Sequence, residues 1–359
     1  MSRSTLIDTG LALNNGQVWV WGFRGSGQQG NGKTVVSTTT APTRVQGLEK
    51  IVQVTGSAYS LVAINGDGEA WGWGQNLHGA AGVGTINIIQ NKPLKLNVPP
   101  LAMVAAGEYF MVALTKDGRV YTWGHNLYGQ LGNGGHTDSV APVHVVLDNE
   151  TAILVGASYE GAFAITIDSN TGNPKVWAWG RNASNSLGLG SDETVYRTPR
   201  RVTSLDPWAS DIIYIDGGYR FGHAVLSGGS LLGWGRQSRL GIGSSSTNAI
   251  HPRLISLPAS IVISNGLPAL HARFISTVAL LSDGRVYTWG DEGYNVGGRD
   301  ITARPSANEV GGGKHHVYFR VGNVVHGAGY GAGNKFPSSP PSSANRDWRL
   351  DRPLLLPSN

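Results

Sequence analysis

The chain has 359 residues, including 52 Gly, 11 Trp and no Cys; 14% of side chains are charged, 40% are hydrophobic, and the formal net charge is +5. No apolar run approaches the ~18–20 residues of a membrane-crossing helix, the glycines lack a collagen period, and the apolar content with low net charge argues against disorder. Without cysteine, disulfide frameworks, thiolate nucleophiles and Cys-based zinc centres are excluded. The positive charges are scattered, with Arg200-Arg201 the longest cluster, so no nucleic-acid partner is expected.

In chain order, Thr5-Leu6-Ile7-Asp8-Thr9-Gly10 opens the first unit, with no room for an earlier strand, and the unit runs to Trp21-Gly22. The Trp-Gly pair returns at Trp73-Gly74, Trp123-Gly124, Trp179-Gly180, Trp234-Gly235 and Trp289-Gly290, at intervals of 52, 50, 56, 55 and 55 residues. Other punctuation keeps phase with it. Gly16, Gly68, Gly118, Gly229 and Gly284 stand five residues before the Trp, and Gly30, Gly82, Gly132 and Gly188 nine after it. Pro42, Pro93, Pro142, Pro199, Pro252 and Pro305 follow further on. A fixed period of this length marks a repeat architecture.

The third unit shows what each repeat predicts. Met103–Ala106 and Phe110–Leu114 are short apolar runs separated by a turn at Gly107-Glu108. Asp117-Gly118 is a hairpin signal, and Arg119–Trp123 alternates as a half-buried strand does. The following loop is too Gly-rich for a helix, and Pro142 suits an outer sheet edge. Each unit therefore reads as a four-stranded antiparallel blade. Such small sheets bury both faces by radial stacking, which predicts an all-β propeller with the indoles between blades. The Trp-Gly count gives six blades; the alternative is seven with a divergent last blade after Pro305. Val317–Gly322 resembles the inner strand that the N-terminal unit lacks, and is expected to close the ring by joining that blade. The propeller is assigned to residues 1–335 and a Pro/Ser-rich tail to 336–359. The start inside a blade points to a longer parent chain.

The run from Val112 to Gly132 resembles the repeat of the regulator of chromosome condensation family, and the similarity extends over roughly residues 5 to 335. The resemblance implies a propeller, generally of seven blades. The roles it implies are broad: exchange factors for a small GTPase, ubiquitin-ligase scaffolds, photoreceptor signalling proteins, membrane-associated adaptors, secreted enzyme inhibitors and bacterial surface components.

Enzymatic signatures are weak. Gly25–Gly30 matches G-x-G-x-x-G but lies in a repeat loop with no following helix. His315-His316 has no further ligand nearby, so no metal and no cofactor is expected. Asn149-Glu150-Thr151 and Asn182-Ala183-Ser184 are glycosylation sequons in expected surface loops. The candidate binding residues lie in the loop between the first two strands of each unit: Tyr59, Tyr109, Phe110, Tyr159, Tyr219, Arg220, Arg273 and Phe274. An aromatic and Arg-rich rim suits recognition. The opposite candidate is the loop after Trp-Gly, with Arg24, His78, His125, Tyr128, Arg181, Arg236, Arg239, Glu292 and Tyr294. The expected function is a non-enzymatic recognition module, adhesin-like, on a bacterial or phage surface appendage. It would bind a cell-surface glycan or protein, without membrane insertion, as a monomeric disc or part of a longer chain. An exchange factor for a small GTPase and a protein inhibitor of an enzyme are the alternatives, and a cytoplasmic location is the alternative to an extracellular one.

Overall fold

The phased glycines occupy backbone positions that other residues enter only at a cost. In a computed structural model of the chain, Asn15 and Gly16 have φ of 47° and 74° and join Thr9–Asn14 to Gln17–Phe23 by a two-residue turn, the geometry that matches strand twist. Gly22, Gly74, Gly124, Gly180 and Gly235 have φ between 95° and 104°. At each of them the pairing with the outer strand shifts register. Trp-Gly is thus a recurrent β-bulge, in which glycine tolerates the positive φ. The structure describes residues 2–4, 9–23, 25–34, 38–148, 150–191, 193–241, 248–264, 267–272, 274, 276–290, 299–300, 307, 309–313, 316–321, 324–329 and 354–355.

The expected four-stranded antiparallel blades are present. The Trp73 blade runs Ile51–Gly56, Ser60–Asn65, Ala70–Gln75, Ile89–Lys95. The Trp123 blade runs Leu101–Ala106, Phe110–Thr115, Val120–Gly124, Ser139–Val145. The Trp179 blade follows with Thr151–Ala157, Gly161–Ile167, Pro174–Arg181, Val195–Arg201, and the Trp234 blade with Ile212–Gly218, Phe221–Leu226, Leu231–Gly235, Ala249–Ile255. The Trp289 blade has Leu270–Ala272, Ser276–Leu280, Val286–Gly290, Arg299–Asp300. A sixth four-stranded sheet, without Trp-Gly, comprises Glu309–Gly313, His316–Val321, Val324–Gly329 and Leu354–Leu355. The Trp21 sheet has three strands, Thr9–Asn14, Gln17–Phe23 and Thr38–Arg44, and stands beside these six. Among the described residues six sheets thus have at least four strands, the number of blades that the Trp-Gly count gave.

Closure differs from the expectation in one respect. Val317–Val321 does not complete the N-terminal blade; it pairs with Glu309–Gly313 and Val324–Gly329 in its own sheet. The inner position beside the first unit is taken by Ser2–Ser4, which runs parallel to Ile51–Gly56 and also neighbours Glu309–Gly313. The two ends of the chain still meet there. A three-residue strand at the extreme N-terminus left no readable pattern, whereas the Val317 run imitated an inner strand because it is one of a complete blade. Leu354–Leu355 supplies the outer strand of the last sheet; the rest of the expected tail lies outside the described residues.

Within a blade the second strand is buried throughout, as in Ser60–Asn65 and Phe110–Thr115. The outer strands are mostly part-exposed and carry Pro42, Pro93, Pro142, Pro199 and Pro252, since an edge can spare a donor. Between blades, Trp73, Trp123, Trp179, Trp234 and Trp289 are essentially inaccessible. Four indoles donate Nε1–H to the preceding blade: Trp73 to Gln28 O (2.9 Å), Trp123 to Ala80 O (3.1 Å), Trp179 to Gln130 O (2.9 Å) and Trp234 to Ser186 O (2.8 Å). Along the axis the inner strands leave a cavity of about 30 Å³ lined by Gln53, Val104, Val155, Asp216 and His271 among others, room for a water or two. Among the described residues no helix is long and apolar enough to cross a membrane.

Candidate recognition face

In an antiparallel meander the turn between strands one and two and the loop between strands three and four leave the sheet at the same end. The two sets of candidate loops, read in the sequence as opposite, therefore share one face. Backbone bonds tie them together: Gln75 N–H to Tyr59 O (3.0 Å), His125 N–H to Tyr109 O (2.9 Å), Arg181 N–H to Glu160 O (2.9 Å) and Arg236 N–H to Arg220 O (2.8 Å). The first turns of successive blades also bond to one another. Ala58 N–H donates to Glu108 O (2.6 Å), Glu108 N–H to Tyr159 O (2.9 Å) and Tyr219 N–H to Phe274 O (2.7 Å). These bonds draw together turns about 50 residues apart in sequence.

The aromatic residues meet there in two clusters. Tyr159 lies 4.9 Å from Phe274 and 5.2 Å from Tyr219, centroid to centroid, and Tyr219 stacks on Phe274 at 5.2 Å. The guanidiniums of Arg220 and Arg239 sit 4.8 and 5.2 Å from the Tyr219 ring, a cation–π arrangement. In the second cluster Tyr109 is 6.4 Å from Tyr59 and 5.3 Å from His78, and the His78 and His125 rings are 4.5 Å apart. Arg181 covers Tyr128 at 4.4 Å and pairs with both oxygens of Glu160 at 3.0 and 2.9 Å. Glu108 links the clusters, because its carboxylate accepts a hydrogen bond from the Tyr159 hydroxyl and it lies in the same turn as Tyr109. Burial, then the Glu108 charge and Tyr59, push the Tyr109 phenol up to about 12. Burial and Glu108 raise Tyr159 as well. Burial raises Glu160 against the opposing pull of Arg181.

Not every candidate reaches the surface. Phe110 is fully buried in the core between the Trp123 and Trp179 blades, beside Leu131, Val155 and Trp179, and is removed from the face; it begins a buried strand, where the side chain points between blades. Tyr159 is 8% exposed and supports its neighbours. Tyr59, Tyr109, Tyr219, Arg220 and Phe274 are part-exposed. Arg273, Arg24, Glu292 and Tyr294 lie outside the described residues, as do His315 and Asn149.

Leu77 and Leu127, 55% and 54% exposed, flank His78 and Tyr128 on the same loops. Ile86 and Ile88, also exposed, come from the loop that Asn76 closes. The opposite face differs. Its hairpins consume charge in local pairs, Glu69–Lys95, Asp117–Arg119, Asp168–Lys175 and Asp283–Arg285.

Three of the loops after Trp-Gly are held by an asparagine three residues beyond the Trp, a phased signal present in the sequence and not read there. Asn76, Asn126 and Asn182 accept the N–H of Ala81, Leu131 and Leu187, each at 3.0 Å. Their amide nitrogens donate back to loop carbonyls, Asn182 to Ser191 O (3.1 Å) and Glu193 O (3.0 Å). Asn182 is thus a 3% exposed loop lock, not the surface glycosylation site its sequon suggested. Among the described residues one group has metal-ligand chemistry: a ring nitrogen of His78, a ring nitrogen of His125 and a carboxylate oxygen of Asp138 lie within 4.8 Å of one another. Their separation along the chain hid it.

Comparison with known proteins agrees with the geometry. The RCC1-like domain model matches residues 8–330. The Arabidopsis thaliana ultraviolet-B receptor UVR8 is 33% identical over 293 residues, 78% of this chain and 62% of that protein. The human E3 ubiquitin-protein ligase HERC2 is 26% identical over 294 residues, 77% of this chain and 6% of the ligase. The chain therefore spans less than two thirds of the length of these relatives. Human WBSCR16 superposes with a TM-score of 0.73 at 17% identity, covering 89% of this chain and 85% of that one. Prp20p of Saccharomyces cerevisiae does so at 0.71 and 18%, covering 97% and 87%; these structures share the fold. With the phased Trp-Gly bulge, the interblade indole bond and a family match over most of its length, the chain belongs to the RCC1-like domain family.

Proposed function

We propose that this chain is a non-catalytic recognition propeller that captures a protein partner with the face carrying Tyr59, Tyr109, Tyr128, Tyr219 and Phe274. The observation that supports it is the clustering on one face of part-exposed aromatics, Arg side chains and the exposed Leu77 and Leu127, where the hairpins of the opposite face carry charged pairs such as Asp117–Arg119 and Asp283–Arg285. Aromatic and Arg anchors within a semi-apolar surface suit hot-spot binding, and a closed ring holds them rigid, which lowers the ordering cost of association. An adhesin-like setting on a bacterial or phage surface, with a glycan or protein ligand outside the cell, is the narrower form of this proposal. Prp20p has been studied for its binding to Gsp1p and histones, which keeps GTPase exchange as the competing form.

The test is capture of partners from host cells, followed by amide exchange of the complex. Protection of residues 57–60, 76–79, 107–110 and 125–129, with at least 10-fold weaker capture by Tyr109→Ala plus Leu127→Asp, is the expected result. Undiminished capture by that double variant, or protection confined to the opposite face, overturns the proposal. A glycan array and nucleotide-release kinetics separate the two narrower forms.

A further inference from the structure

We propose that His78, His125 and Asp138 bind one divalent transition-metal ion of the zinc type, clamping the Trp73 blade to the Trp123 blade on this face. Two imidazoles and a carboxylate form a donor set suited to zinc and its neighbours. Tetrahedral zinc, with bonds of about 2.0–2.2 Å, places neighbouring donors roughly 3.4 Å apart. Here all three donor atoms already lie within 4.8 Å of one another. His78 Nδ1 and Asp138 Oδ2 are 2.8 Å apart, so an ion would replace the proton they share and part them by about 0.6 Å to reach that spacing.

The backbone beneath the donors is built to hold them there. Gly79 has φ of 80°, and a Cβ on it would lie 2.6 Å from Ser139 O and from the Val140 Cα. Only glycine lets the His78 loop press against the segment that carries Asp138. Gly84 N–H adds a bond to Val140 O at 2.9 Å. Asn76 and Asn126 lock the loops bearing the two histidines. Asn126 N–H also donates to Asp138 Oδ1 at 2.8 Å, which fixes the carboxylate and aims its other oxygen at His78. Second-shell bonds of this kind orient metal ligands.

His125 has its Nδ1 3.1 Å from the amide nitrogen of Gln130, whose oxygen accepts Tyr128 N–H at 2.9 Å. Nε2 is therefore the nitrogen left for the ion. The tautomer that binds through Nε2 carries its proton on Nδ1, facing an amide NH₂. A glutamate at position 130 would keep the bond to Tyr128 and give Nδ1–H an acceptor, the carboxylate–histidine–metal pattern. Three protein ligands leave at least one coordination position for water or for a carboxylate or imidazole from outside. Use of that position by a partner rests on the recognition reading; metal binding itself does not.

The experiment uses the untagged, chelator-stripped chain, titrated with Co²⁺ followed by visible absorption and with Zn²⁺ by calorimetry. The expected result is one saturable site per chain. His78→Ala, His125→Ala and Asp138→Ala should each weaken it at least 10-fold, Gln130→Glu should tighten it about 10-fold, and His144→Ala, an exposed histidine elsewhere, should leave it unchanged. Circular dichroism of the metal-free variants confirms that they fold. Absence of a saturable site, or equal binding by the His78→Ala/Asp138→Ala double variant, overturns the proposal. If Zn²⁺ binds while partner capture ignores chelation, the metal site stands and its link to recognition falls. If a partner is captured and no ion binds, the recognition face stands and the metal site falls.

Discussion

At the scale of single residues, His223 shows how the fold suppresses ordinary chemistry. It is fully buried, edge-on to Phe221 at 5.1 Å and to Trp289 at 5.8 Å. Burial depresses its pKa from 6.5 to about 3. The folded chain therefore keeps His223 neutral while the unfolded chain protonates it, so stability is full above about pH 6.5 and declines as pH falls toward 3. The slope is roughly 1.4 kcal/mol per pH unit from this group. Urea unfolding at pH 7 and pH 5 should show about 2 kcal/mol of acid loss in the wild type that His223→Leu lacks. Equal losses in both proteins would refute the assignment. His125 shifts in the same direction, chiefly by burial, although Asp138 opposes it.

At the scale of one element, the loop after Trp-Gly explains why glycines keep phase with tryptophans. Gly132 has φ of 65°, and a Cβ on it would stand 2.8 Å from Trp179 Nε1. Gly134 has φ of 83° but meets nothing closer than 3.9 Å. Both alanine variants carry the backbone penalty, on the order of 1 kcal/mol. Gly132→Ala additionally displaces the indole and its bond to Gln130 O, so its loss of stability should exceed that of Gly134→Ala by about 1–3 kcal/mol. Chemical denaturation of the pair measures this, and equal losses would show that the indole is not seated on the glycine. The asparagine lock belongs to the same element. Mass spectrometry of the chain made in a glycosylating host should find Asn182 unmodified, because its amide is spent on Ser191 O and Glu193 O.

At the scale of the whole molecule, stability depends on every blade having a neighbour on both sides. The N-terminal Ser2–Ser4 strand and the last sheet fill the gap between the first and last units. A chain ending at residue 308 would leave Ser2–Ser4 and Leu270–Ala272, which both neighbour Glu309–Gly313, beside an unfilled sector and expose edges that favour association. Light scattering after size exclusion should show it aggregated; a monomer with wild-type unfolding would contradict this account of closure.

The period, the hairpins, the outer prolines and the indole cores were legible because each is a local backbone requirement repeated in phase: glycine where φ is positive, proline where no donor is needed, tryptophan where a blade must be covered. The sharing of one face by the two loop sets follows from antiparallel connectivity alone, yet the residues that meet on it do not. Which strand closes the ring, that Phe110 turns inward while Tyr109 turns outward, and that His78 reaches Asp138 sixty residues away were decided by packing between blades. Sequence patterns encode what a residue demands of its own backbone. The contacts across blades depend on how rigid sheets settle against one another, and no spacing along the chain records that.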